Sequence, residues 1–155
     1  KSLNLSFYGL DEEIESHYKM SVSAIFQKYD EACFRKLESS VLKSFSQKDN
    51  FVLSCGGGTP CFSDNMEEMN TLGTTIYIKL SANELAGRIA NSYHKRPLTE
   101  GKSDEELESY VKEMLNVREP FYSMAKITVD ASGTDKEGLV ERVLGLCLEY
   151  GIIGS

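Results

Sequence analysis

The sequence predicts an α/β fold of three layers, a parallel sheet with helices on both sides. Three observations carry that expectation. Four short apolar runs of strand character, at 3–10, 51–55, 75–80 and 126–130, alternate with stretches of helical spacing. Hydroxyl residues followed three positions later by Glu mark helix starts at Ser81 with Glu84, Ser103 with Glu106, and Thr134 with Glu137. The strand runs are apolar almost throughout, which predicts strands covered on both faces and joined by right-handed crossovers.

In chain order, LNLSFYGL reads as a strand that breaks at Gly9 and runs into Asp11-Glu12-Glu13, acids favoured in the first turn of a helix. From Ser21 onward, Ile25, Tyr29, Cys33, Leu37 and Val41 recur every four residues, predicting one buried helical stripe with a bend near Asp30. FVLSC is the second strand and ends in Gly56-Gly57-Gly58; TIYIKL is the third. The helix opened by Ser103 carries Leu107, Tyr110, Val111, Met114 and Leu115 on one face. KITVD is the last strand, and the final helix carries Leu139, Val143, Leu146, Cys147 and Tyr150. The polar stretch 91–102, with Pro97 and Gly101, predicts a surface loop able to act as a lid. No repeat or low-complexity linker interrupts the chain, so a single domain over 1–155 is expected.

Of the 155 residues, 41% are apolar and 26% charged, the balance of a globular domain. A formal charge of −7 argues against a dominant basic face and so against nucleic acid as a partner. No apolar run approaches the roughly 18 residues that suggest a membrane span. The opening Lys1-Ser2-Leu3-Asn4 does not follow the plan of a signal peptide, so a cytoplasmic location is the expectation. Cys33, Cys55, Cys61 and Cys147 form no CxxC pair and, with only 2 His, no zinc spacing; they are expected to be reduced core residues. His17 and His94 have no partners at a catalytic spacing and read as surface residues.

Ligands of open α/β sheets gather at the carboxyl ends of the strands. Asp11, the three glycines and the segment after Leu80 occupy those ends. The glycines allow a tight turn and close approach of backbone N–H groups to a ligand, or simply a flexible connection. Asp11 is either a helix-start acid or a base facing a cleft. By spacing alone, Arg35 pairs with Glu31 or Glu38 on a solvated helix face. Arg96 lies in the lid stretch and Arg118 in Arg118-Glu119-Pro120-Phe121-Tyr122, each near an expected break in structure. Three such arginines in an acidic chain suit a small carboxylated or phosphorylated ligand, because a guanidinium fork binds those groups bidentately.

Together, Phe7-Tyr8-Gly9-Leu10-Asp11-Glu12-Glu13-Ile14-Glu15, Glu31-Ala32-Cys33-Phe34-Arg35-Lys36-Leu37-Glu38, Ser54-Cys55-Gly56-Gly57-Gly58, Arg96-Pro97-Leu98 and the Arg118 segment make the chain resemble the shikimate kinases, in order and spacing, from Leu3 to about Leu146. The resemblance implies a P-loop nucleoside monophosphate kinase-like fold. It also implies transfer of the γ-phosphoryl of ATP to the 3-hydroxyl of shikimate, with Mg2+, in aromatic amino-acid (chorismate) biosynthesis. By the same resemblance, Asp11 contacts the shikimate hydroxyls and serves as base, Arg35 and Arg118 grip the carboxylate, and Gly57 and Gly58 offer backbone contacts to the ring. Arg96 closes over the phosphates and Arg88 lies near the adenine. A monomer acting on a small molecule is expected.

Two departures stand out. The family's GxxxxGK[ST] phosphate loop is nowhere in these residues, and Lys1 falls inside the helix that follows that loop in the family. A strand, the loop and most of a helix, roughly 25 residues by ordinary element lengths, would then precede Lys1. Because that strand is central in the family, the expectation is a sheet interrupted between the second and third strands and a chain inactive with ATP by itself. Gly9 is the second departure, standing where the family usually has an Asp that helps hold magnesium. The alternatives are a non-catalytic shikimate-binding or regulatory protein, and a related kinase for another hydroxylated acid.

Overall fold

The computed structural model describes residues 4–91 and 103–153. They form two compact units, Lys1–Thr75 and Ile76–Ser155. In the first, β1 (Ser6–Gly9) leads directly into α1 (Leu10–Tyr18), followed by α2 (Val22–Lys28), α3 (Glu31–Ser44), β2 (Phe51–Ser54), a 3-10 turn at Thr59–Cys61 and α4 (Asn65–Leu72). β1 and β2 pair in parallel, with Ser6 opposite Phe51 and Gly9 opposite Ser54. α1 carries Asp11, Glu12 and Glu13 in its first turn, as predicted, and ends on Lys19, whose φ of 54° is the left-handed conformation common after a helix.

The bend expected near Asp30 is a full break. Tyr29 is extended and the Asp30 carboxylate accepts the Cys33 N–H at 2.7 Å, so a new helix starts at Glu31. The break resets the helical phase, which corrects the predicted stripe: Tyr29 is exposed, and α3 buries Phe34, Glu38, Val41 and Leu42. Those four follow the i, i+4, i+7, i+8 spacing of one helix face. With Leu10, Ile14, Ile25 and Phe45, the apolar members make the core of the unit.

The second unit contains β3 (Ile76–Lys79), α5 (Ala82–Ala90), α6 (Asp104–Tyr122), β4 (Ile127–Asp130) and α7 (Lys136–Glu149). β3 and β4 are parallel, Ile76 opposite Ile127 and Lys79 opposite Asp130. The capping boxes at Ser81 with Glu84 and Ser103 with Glu106 are both formed. The third is not, because α7 is capped one residue later, by Asp135, whose carboxylate accepts the Gly138 N–H at 2.9 Å in place of the Thr134 hydroxyl. α5 packs on α6 through Ala86, Leu107 and Val111, with Tyr110 and Leu115 against them, the face read from the sequence.

Strands thus come as two parallel pairs, β1–β2 and β3–β4, and the pairing is interrupted after β2, where the interruption was expected. The α/β order with parallel strands expected of the three-layer fold holds, and among the described residues some strand side chains remain exposed. Phe7 is 68%, Val52 46% and Ile78 48% exposed. On β4, Ile127 and Val129 are buried while Thr128 and Asp130 face outward. Exposure alternates along β2 and β4, as side chains on opposite faces should, whereas along β1 and β3 it does not. The break expected beside Arg118 is also absent: Arg118 and Pro120 lie inside α6, where Pro120 simply lacks the N–H that would reach the Asn116 carbonyl. No disulfide joins any of the four cysteines; Cys147 is buried and the others are half-buried, so only Cys147 is a core residue as expected. Among the described residues no helix is long and apolar enough to cross a membrane.

Candidate functional site

The parallel register of β1 and β2 places Gly9 beside Ser54, so the residues that follow each strand emerge past the same end of the pair. Asp11 lies there, exposed, in the first turn of α1, and Cys55-Gly56-Gly57-Gly58 follows from β2. The Cys55 thiol reports this crowding. Burial, then the negative charges of Glu38 and Asp11, push it up to about 12, so it stays a neutral thiol and is no nucleophile.

Arg35 comes to the same place from α3. Its Nη1 donates to Glu38 Oε2 at 2.9 Å, and its Nε and Nη2 donate to Glu31 Oε1 at 3.3 and 3.1 Å. The guanidinium lies over the Phe62 ring, 4.1 Å from its centroid, and 5.1 Å from that of Phe34. Both partners that spacing offered to Arg35 are therefore used, yet the face is not solvated: Arg35 is 16% exposed in its side chain and Glu38 1% as a residue. Glu31 is the outer partner, with 57% of its side chain exposed. Glu38 is held from its other side by the Thr59 hydroxyl, which donates to Oε1 at 2.7 Å. Asn65 Nδ2 donates to the Thr59 carbonyl at 2.9 Å, and Ser39 donates to Asn65 Oδ1. A cavity of about 430 Å3 opens beside this cluster, lined by Glu31, Ala32, Arg35, Lys36, Phe62 and Ser63, a size that admits a small ring acid.

Gly58 is adjacent for a steric reason. A Cβ built there would fall 2.8 Å from Arg35 Nη2, closer than real side chains approach, and a tight 3.1 Å from Nη1. Gly58→Ala should therefore leave the unit folded but push the guanidinium off its position. Should Arg35 receive a ligand carboxylate, the expected loss of affinity is on the order of tenfold, read by calorimetry. Unchanged affinity would mean that the guanidinium position does not matter. Gly57 is exposed one residue earlier, its carbonyl facing Cys61 Sγ at 3.7 Å.

Among the predicted residues, the structure brings Asp11, Arg35, Gly57 and Gly58 into the first unit. Arg88 and Arg118 belong to the second, Arg88 exposed on α5 and Arg118 half-buried on α6. Next to Arg118, Glu119 ties α6 to β3: it accepts from Tyr77 Oη at 2.8 Å and pairs with Lys79, and the Lys79 contact holds its carboxyl below the usual range. The lid stretch with Arg96 and His94 lies outside the described residues, apart from Asn91. A separate cavity of about 450 Å3 lies by β4 and α7, lined by Asp130, Arg142 and Glu149 among others. No three His, Cys, Asp or Glu among the described residues gather to hold a metal ion.

The family model described as Shikimate kinase matches residues 1–147. The chain belongs to the shikimate kinase family. A shikimate kinase of Parabacteroides distasonis is 46% identical over 131 residues, covering 84% of this chain and 76% of that one. Among solved structures, a shikimate kinase from Bacteroides thetaiotaomicron superposes with a TM-score of 0.86 at 35% identity, over 96% of this chain and 85% of that chain. Another, from Acinetobacter baumannii in complex with shikimate, gives 0.78 at 27% identity, over 94% and 80%. The α/β fold expected from the sequence is thus that of the shikimate kinases. What the sequence did not reveal in this family member is the depth of Glu38 and the parts taken by Thr59, Asn65 and Phe62. Glu38 was legible as a partner of Arg35 from its spacing, while Thr59 and Phe62 carry no local signal.

Proposed function

We propose that the corner formed by Arg35, Gly58 and Phe62 is the carboxylate end of the shikimate site in a kinase that moves the γ-phosphoryl of ATP to the 3-hydroxyl of shikimate. The observation that carries this reading is a guanidinium fixed over an aromatic ring by a buried carboxylate, beside a cavity and against a glycine. In this reading the incoming carboxylate displaces the exposed Glu31 from the Nε and Nη2 edge and takes both donors, while Glu38 keeps its hold on Nη1. Phe62 and Phe34 pack against the guanidinium, while its N–H groups are directed to the two carboxylates.

Asp11 stands on the same side of the strand pair, where it would orient the ring hydroxyls and accept the proton of the attacking one, with Gly57 and Gly58 offering their backbone to the ring. Arg118 would add a second guanidinium to the carboxylate, Arg96 would cover the phosphates and Arg88 would lie toward the adenine. Phosphoryl transfer asks for this kind of positioning and positive charge rather than a covalent intermediate, and the neutral Cys55 thiol is consistent with that. Gly9 stands where the family usually has a carboxylate that helps hold magnesium, so Mg2+ would be held here chiefly through the nucleotide's phosphates.

Calorimetric titration with shikimate tests the reading. Arg35→Ala should weaken binding by about 1.5–3 kcal/mol, roughly 10- to 150-fold, the range for a charge-assisted contact. An affinity unchanged by Arg35→Ala, in protein shown by circular dichroism to be folded, would remove Arg35 from the site.

A further inference from the structure

Resting on the reading that Arg35 binds the substrate carboxylate, we infer that the Thr59 hydroxyl is a positioning residue for carboxylate recognition, acting through Glu38. The two oxygens of the Glu38 carboxylate have different tasks: Oε2 accepts from Arg35 and Oε1 accepts from Thr59. A carboxylate attached through one rotatable bond turns readily, and a donor on one oxygen fixes the direction of the other. Thr59 is itself anchored. It is fully buried, its backbone N–H donates to the Gly56 carbonyl at 3.0 Å, and its carbonyl is held by Asn65, which Ser39 holds in turn.

The chain Ser39, Asn65, Thr59, Glu38, Arg35 thereby connects α3 and α4 through the 3-10 turn that follows the glycines, and it ends at the guanidinium. Arg35 does not stand free at the end of a long side chain. Its Nη1 is set by a carboxylate whose angle is set by Thr59, which leaves the Nε and Nη2 edge facing the exposed Glu31, where a ligand carboxylate can take over. Losing the Thr59 donor lets Glu38 rotate and the fork tilt, and a bidentate contact is sensitive to tilt. Thr59 touches no substrate in this arrangement; its effect is confined to the group that Arg35 recognises.

Calorimetric titrations of the chain with shikimate and with its methyl ester, which keeps the ring and hydroxyls but not the negative charge, separate the outcomes. Wild type should prefer the acid by tenfold or more. Thr59→Val should lower that preference at least fivefold by weakening acid binding alone, and Thr59→Ser should restore it. Thr59→Cys, a far weaker donor than serine, provides the same comparison if the valine variant does not fold. A preference for the acid that survives in Thr59→Val and Thr59→Cys overturns the inference and leaves the Arg35 reading standing. Parallel loss of acid and ester affinity also overturns it, as a purely structural effect. Equal binding of acid and ester by wild type overturns the Arg35 reading and the inference with it.

Discussion

Glu38→Ala is expected to be among the most destabilising single changes in the first unit, by about 3–5 kcal/mol, the range for breaking a buried ion pair from one side. Three losses coincide. The Arg35 guanidinium, mostly buried against Phe62 and Phe34, keeps its charge and loses its inner partner. The Thr59 hydroxyl, with no exposure, is left without its acceptor. The removed side chain leaves a void between α3 and the turn after the glycines. Glu38→Gln retains the shape and one acceptor oxygen but sets an amide against either Arg35 or Thr59, so it should fall between the alanine variant and wild type. Urea denaturation of the three proteins provides the order directly. A loss under about 1 kcal/mol for Glu38→Ala would mean that the pair is solvated in solution and that the buried network has no hold on Arg35.

Arg96→Ala is expected to have the largest kinetic effect. If this arginine meets the charge that develops on the transferring phosphoryl, its removal should lower kcat by about 100- to 1,000-fold, the range for deleting one preorganised donor to a transition-state charge, with little change in the KM for shikimate. The split between kcat and KM is the informative quantity. A loop arginine with no such role would leave both constants near wild type, and an arginine that only binds substrate would raise KM and spare kcat. A coupled assay of ATP turnover, in protein carrying the family's phosphate-binding loop, measures both constants. A fall in kcat of less than about threefold would remove Arg96 from the transition state.

Arg96 and Glu38 differ in how far the sequence reveals them. Arg96 was singled out by the Arg96-Pro97-Leu98 motif and its place in a polar stretch, and it lies outside the described residues. Glu38 was visible in the sequence only as an acid three residues from Arg35, one of two that could pair with it. Both pairs form, so the spacing was informative about contact and silent about depth. Similarly, Gly58 was legible as an unusual glycine after a strand, but the reason for it, a guanidinium lying across its Cα, depends on α3 passing the end of β2.

The sequence by itself determined the four strands and their alternation with helical stretches, the caps at Ser81 and Ser103, a change of direction near Asp30 and the motifs that mark the family. These are properties of neighbours along the chain: a cap joins residues three apart, and a strand or helix is written in the spacing of its own side chains. Only the tertiary structure decided that Glu38 is buried and Glu31 exposed, that Thr59 and Asn65 are coupled to Arg35, that Arg118 sits within a helix, and that Phe7, Val52 and Ile78 face outward. Each depends on what packs against a residue from elsewhere in the chain. Ser39 reaches Asn65 across 26 positions and Thr59 reaches Glu38 across 21, distances over which local periodicity carries no information.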